Sequence, residues 1–355
     1  MSKSVWLDCD PGHDDATAIL LALHWPGIEL FGVSTVHGNT SADNTNLNAA
    51  RCLEAFGAPE HIKVHGGARK PLIRLPHHDV EIHGVGGLGG VEGLPPKDDE
   101  RVLARFDHPR GHTRAIDAIA RAVQRSWQDG QGTKISVVST GPMTNIALFV
   151  SVYPELLEGV EQFVFMGGGV GVGNRSAAAE FNILCDPEAA QIVLDAPVKC
   201  VMVPLNVTHT AIVEDSIHAK ILSPNGALDN GKLPPAATPL RQMLSTLITF
   251  FAEAYKAVFG FHLGPPLHDA LTIAYIAQPE LFTCRRFRVD VELSGKHTSG
   301  ETVVDLWDYS KSDNTWGHTG KNCIVTEALD VMDFFDKLLE CITRCDSVSP
   351  LNRKS

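Results

Sequence analysis

The chain has 355 residues, 44% hydrophobic and 20% charged, with a mean hydropathy of −0.01. These values exclude the disordered, collagenous and membrane-embedded classes, and no window approaches the roughly 20 apolar residues of a spanning helix. Acidic residues outnumber basic ones 42 to 30, a net charge of −12, which disfavours nucleic acid and membrane partners and suits a neutral substrate or a bound cation.

In chain order, Val5-Trp6-Leu7 opens a strand over 4–9, and Asp8 and Asp10 follow at once, leaving no room for a targeting segment. A helix is expected over 14–24, a strand over 28–36, a helix over 43–56 and a strand over 62–66. Residues 76–100 then form a Gly/Pro-rich stretch of the kind that makes lids or binding loops, or simply a tolerated surface insertion. Next come a helix over 113–127, a strand over 134–140, a helix over 142–152 and a strand over 162–167. Asp186-Pro187-Glu188 opens a further helix, with an acidic cap and Pro at the first position. A strand over 198–205, a second Gly/Pro-rich stretch at 223–238, and helices over 239–259, 268–277 and 326–345 complete the pattern. This alternation predicts an α/β fold: an open, mainly parallel sheet flanked by helices, with the active site at the carboxyl ends of the strands. One domain is expected over 1–348, with a frayed tail over 349–355. The eight cysteines contain no CxxC pair, which fits reduced thiols in a cytoplasmic protein.

The strongest chemical signal is Asp8-Cys9-Asp10-Pro11-Gly12-His13-Asp14-Asp15. Asp14 and Asp15 suit the first turn of a helix, where acids meet the positive end of its dipole. That accounts for two of the four carboxylates. Asp8 and Asp10 flank Cys9 and point to one side of the strand. Clustered carboxylates repel unless a cation sits among them or some hold protons, and a hard cation with oxygen ligands is the economical solution. His37-Gly38-Asn39, Ser139-Thr140-Gly141-Pro142 and Gly167–Asn182 follow other strands and converge on the same end, although individually each reads as a turn.

DCDPGHDDA, GNT, IHGVGGL, GPMTN, MGG, GNRSAAAEFN followed by DPEAA, and LHDA, running in order from residue 8 to about 275, together resemble the calcium-dependent, inosine-uridine-preferring nucleoside hydrolases. Within that family the likeness is to the fungal-type uridine nucleosidases. The resemblance implies a Ca²⁺ ion on Asp10, Asp15, the Thr140 carbonyl and Asp269, with Asp10 also the base that activates water. It implies that Asp14, Asn39, Asn174, Glu180 and Asn182 hold the ribose hydroxyls, with Met166 near the sugar. His83 and His268 match the histidines on the base side of the pocket.

His268 is the candidate for assisting the leaving base, since histidine titrates near neutral pH; the bland alternative is a residue placed for shape. His83 is expected to contact the base or the ribose 5′ side, and His13 and His209 to be structural or solvated. The five tryptophans fall outside the pocket loops, which leaves Phe181, Tyr255 and Phe261 as aromatics that could stack on a base, although such residues more often pack in a core. The resemblance implies a hydrolase that releases base and ribose from a ribonucleoside in nucleoside salvage, uridine first, with inosine, cytidine and nicotinamide riboside open. It also implies a homo-oligomer, dimer or tetramer. Two other readings compete: a haloacid-dehalogenase-like phosphatase, whose motif also opens with DxD, and a non-catalytic ribonucleoside-binding protein on the same fold.

Overall fold

A computed structural model describes residues 2–107 and 114–353. Ten strands are present among them: β1 (Lys3–Cys9), β2 (Ile28–Thr35), β3 (Val64–Gly66), β4 (Ile135–Ser139), β5 (Val160–Met166), β6 (Cys200–Val203), β7 (Phe282–Phe287), β8 (Val289–Val291), β9 (Thr302–Val304) and β10 (Cys323–Leu329). Eight of them form one sheet in the order β3-β2-β1-β4-β5-β6-β10-β7. Its neighbours are parallel except β7, which runs antiparallel to β10 at the edge. β8 and β9 pair separately as an antiparallel ribbon.

The buried strands are apolar on both faces because helices cover both. In β1, Val5, Leu7 and Cys9 enter the apolar cluster on one face, and Trp6 enters the cluster on the other. The helix His13–His24, buried from His13 to Ala22, packs in the first cluster. The chain reverses between β1 and β4 beside β1, so loops diverge there on the carboxyl side of the sheet. Register brings Asp8 level with Ser34 of β2 and Ser139 of β4, which places Asp10, His37 and Thr140 just past three adjacent strand ends.

Three expectations need correction. The segment expected as one helix over 326–345 is a strand to Leu329 and then a helix, Val331–Val348. Asp330 divides them, its side chain accepting from the Asp333 amide as an N-cap. Strands β7 to β9 were not expected; they are short or half-exposed, and their alternation is broken by Arg285, Arg286 and Arg288. The tail is docked, not frayed, as far as Arg353: Ser349 Oγ donates to the Ala55 carbonyl at 2.6 Å, and the Leu240 amide donates to Asn352 Oδ1 at 3.0 Å. Residues 354 and 355, and residue 113 of the helix expected over 113–127, lie outside the described residues; that helix is observed over Ala115–Trp127.

Candidate active site

The acidic motif bends from β1 into the helix His13–His24, and Asp15 fastens the bend. Its Oδ2 accepts from the Gly12 amide at 2.9 Å and its Oδ1 from the Asp10 amide at 3.2 Å and from Thr140 Oγ1 at 2.7 Å. Asp269 stands at the start of a second helix, Ala270–Ala277. Oxygens of Asp14, Asp15 and Asp269, all buried, lie within 4.8 Å of one another. Two helix N-termini thus aim their positive dipole ends at one carboxylate cluster.

Asp10 lies beside this group. Its Oδ2 accepts from the Asn39 amide at 2.7 Å, while its Oδ1 has no hydrogen-bond partner. Asp14 Oδ1 is likewise buried without a partner. Burial first, then the neighbouring carboxylates, push Asp10 and Asp269 well above the ordinary range, and Asp14 is raised in the same way. Buried acids this close cannot all be ionised without a positive charge among them. The donor set is all oxygen, with unpartnered carboxylate atoms, so these residues fit a hard divalent cation. Asp8 serves differently: it faces away into a network with Ser34 Oγ at 2.5 Å and Asn145 Nδ2 at 2.8 Å.

Two glycines make room for Asp10. A Cβ at Gly38 would lie 1.9 Å from Asp10 Oδ2, and one at Gly141 would lie 2.4 Å from Asp10 Oδ1. Gly141→Ala should therefore displace the carboxylate without straining a left-handed backbone, and lower kcat/KM roughly 10²-fold, the scale of an ångström-level misplacement. Steady-state kinetics alongside a thermal melt checks this, and an active Ala variant would show that Asp10 tolerates movement.

Above the cluster opens a small, partly open cavity. It brings together most of the residues singled out by sequence: Asp14, Asn39, His83, Thr140, Met166, Asn174, Glu180, Phe181, Asn182, Tyr255, His268 and Asp269 line it. Asp10 and Asp15 sit beneath, joined to it through Asn39 and Thr140. Asn39 Nδ2 donates to Asp15 Oδ2 at 3.2 Å, and Asn182 Nδ2 donates to the Thr140 carbonyl at 2.8 Å. Asn174 Oδ1 accepts from the Phe181 amide at 2.9 Å. Each asparagine therefore spends one end of its amide on the scaffold and keeps the other for a ligand. Glu180 caps the short helix Phe181–Cys185, taking the amides of Asn182 and Ile183, and burial raises its carboxyl to about 7.

Two of the histidines are held by defined partners. Both ring nitrogens of His268 are engaged, Nε2 with the Tyr255 hydroxyl at 2.6 Å and Nδ1 with Thr208 Oγ1 at 2.7 Å. Burial pushes its pKa well below the usual imidazole value, so the ring is neutral at pH 7 and does not titrate there. Tyr255, at the inner end of the helix Pro239–Phe259, is the group of this pair that carries a hydroxyl on the cavity wall. His13 is fully buried, stacked on Phe250 and with its Nδ1 3.2 Å from Nδ1 of His83. The His13 amide also donates to His83 Nδ1 at 3.2 Å, so His13 belongs to the support of the cavity wall.

Asp79 also lines the cavity and was missed, as was Arg175, which bonds its carboxylate. They stand 96 positions apart in loops without periodicity, so no local pattern joins them.

The profile of the inosine-uridine preferring nucleoside hydrolases matches residues 5–336 of the chain. The pyrimidine-specific ribonucleoside hydrolase RihA of Shewanella woodyi is 38% identical over 344 residues, covering 96% of this chain and 98% of its own. RihA of Salmonella paratyphi A is 39% identical over 307 residues, covering 86% and 90%. A purine-preferring ribonucleoside hydrolase from Gardnerella vaginalis superposes with a TM-score of 0.81 at 27% identity, over 98% of this chain and all of its own.

Proposed function

From membership in the inosine-uridine preferring nucleoside hydrolase family, to which this chain belongs, we propose that it is a calcium-dependent ribonucleoside hydrolase acting on uridine before other nucleosides. The observation that carries the reading is the buried Asp14–Asp15–Asp269 cluster, with Asp10 beside it, beneath a cavity lined by amides, histidines and a tyrosine. The preference for uridine is supported by the pyrimidine-specific relatives and by the tryptophans lying outside the cavity lining. The match along the chain argues against a phosphatase, as does a cavity lining that contains no lysine or arginine to hold a phosphate.

Asp10, Asp15, Asp269 and the Thr140 carbonyl would hold Ca²⁺; when bound, the ion supplies charge that acidifies a water and grips vicinal hydroxyls. Asp10 Oδ1, the unpartnered oxygen, takes the proton from water as its oxygen adds to C1′ of the sugar. Asp14, Asn39, Asn174, Glu180 and Asn182 hold the ribose hydroxyls and fix its attitude as the oxocarbenium-like charge develops. Met166 packs beside the sugar, and Phe181 and His83 also meet the substrate from the cavity lining. The C1′–N bond breaks with its electron pair going to the base, which accepts a hydrogen bond or proton from the Tyr255 hydroxyl backed by His268. The products are free base and ribose, a salvage reaction.

The eight cysteines are all free thiols, which supports a reducing, cytoplasmic setting. No helix among the described residues is long and apolar enough to cross a membrane. A homo-oligomer and a single domain extending through the docked tail complete the proposal.

The sugar assignment has a direct test. A site built to bond a hydroxyl leaves its own buried groups unpaired when that hydroxyl is missing. The kcat/KM for 2′-deoxyuridine should fall below that for uridine by about 10²–10⁴-fold. Reducing-sugar assays on both nucleosides measure this; comparable values would remove Asp14 and the asparagines from hydroxyl recognition.

A further inference from the structure

The cavity lining contains Asp14, Asp79, Glu180 and Asp269, and no lysine or arginine. The cation that approaches it is Arg175, and this cation is committed elsewhere. Its guanidinium bonds the Asp79 carboxylate, and its Cζ lies 5.3 Å from the centre of the Phe259 ring. Both partners are held in place from behind. The Asp79 amide donates to the Asn39 carbonyl at 3.1 Å, and the Arg175 amide donates to the Ala179 carbonyl at 3.2 Å. The pair therefore ties the 76–84 loop to the 170–180 loop at the cavity, with side chains 10% and 19% exposed for Asp79 and Arg175.

Its position relative to the sugar follows from its neighbours. Arg175 directly follows Asn174, and Asp79 is hydrogen-bonded to Asn39, both assigned above to ribose hydroxyls. The tie thus stands beside two of the groups assigned to the sugar, and through Phe259, whose ring centre lies 5.1 Å from that of Tyr255, it also adjoins the Tyr255–His268 pair. An arginine is the side chain best shaped for a phosphate, which it holds with two parallel N–H donors. Left free at this place, Arg175 would recruit a 5′-phosphorylated nucleoside. Bound to Asp79, its positive charge is paired and one edge of its guanidinium is engaged, and a carboxylate faces any incoming anion.

We propose that the Asp79–Arg175 ion pair is a specificity determinant that excludes nucleoside 5′-monophosphates from the site, by pairing off the charge of a guanidinium that would otherwise receive the phosphate. This is discrimination by withholding an attractive group from the wrong ligand, added to whatever the sugar contacts provide. The inference rests on the nucleoside hydrolase reading for the identity of the excluded ligand, so its test must not depend on turnover alone.

Binding of uridine and of uridine 5′-monophosphate should be measured by calorimetry on the full chain with calcium, for the wild type, Asp79→Asn, Asp79→Ala, Arg175→Gln and the Asp79→Ala/Arg175→Gln double variant. The kcat/KM for each ligand is measured in parallel, and melting curves show which variants are folded. Freeing Arg175 should raise the affinity for the monophosphate relative to uridine at least about 10-fold in one or both Asp79 variants, a difference of about 1.4 kcal/mol. Arg175→Gln should show no such gain, and the double variant should lose it. An unchanged ratio in every folded Asp79 variant overturns the proposal. So does an equal gain in the double variant, since repulsion by Asp79 alone would then be the cause. Wild-type protein that binds uridine without releasing uracil would overturn the hydrolase reading instead, while the binding ratios would still decide the role of the pair.

Discussion

Asp10→Asn should lower kcat/KM for every nucleoside by about 10²–10⁴-fold, whatever the leaving group. The residue has one carboxylate oxygen held by the Asn39 amide and one with no partner, in a position that burial and Asp15 both enrich in proton affinity. A carboxamide keeps the shape and the hydrogen bond to the Asn39 amide but cannot accept a proton from water. Exhaustive chelation of the wild type should give a comparable loss, and Ca²⁺ should restore the chelated wild type without restoring the variant. Elemental analysis completes the design. Zinc in the purified protein, or full activity after chelation, would contradict the all-oxygen donor set.

His268→Ala should separate the chemistry of the base from that of the sugar. Uridine has a poor leaving group, and loss of proton assistance should lower kcat by about 10²–10⁴-fold. A nitrophenyl riboside leaves as a stable anion and should lose far less. His268 Nε2 is 2.6 Å from the Tyr255 hydroxyl, so Tyr255→Phe should reproduce the same contrast if the tyrosine delivers the hydrogen bond. Because burial holds His268 neutral, the contrast should persist across the pH range near 7 without an inflection from this ring. His268 adjoins Asp269, and a change that disturbs the cation would damage both substrates. Calcium content must therefore match the wild type. Equal losses for the two substrates with calcium intact would leave His268 a positioning residue.

Much of this site was legible before any coordinates, for a physical reason. Strand ends, helix starts and acidic residues leave local signatures, so Asp10, Asp14 and Asp15 announce a site at the first strand-to-helix turn. Asp269 is reached only through the likeness of Leu267-His268-Asp269-Ala270 to the family, because a single acid at a helix start carries no signal of its own. What local pattern cannot carry is partnership across the fold. Nothing near residue 268 shows that its ring is sandwiched between hydroxyls from residues 208 and 255. His13 reads as either structural or solvated, and only packing between Phe250 and the Gly89 loop, far off in sequence, makes it structural. The strand Cys323–Leu329 hid inside an apparent helix because its register is set by β6 and β7, far off in sequence.

The docked tail has a mechanical meaning. The Asn352 side chain supplies an acceptor to the first turn of the helix Pro239–Phe259, and Asp346 takes both Thr238 Oγ1 and Arg241 Nε there. That helix runs 21 residues, about 30 Å, and its other end carries Tyr255. It acts as a rigid lever whose outer end is bolted by residues 346–352 while its inner end carries Tyr255 to the cavity wall. Changes to Asp346 or Asn352 are therefore alterations to the mounting of the cavity wall, even though those residues lie a helix length from it.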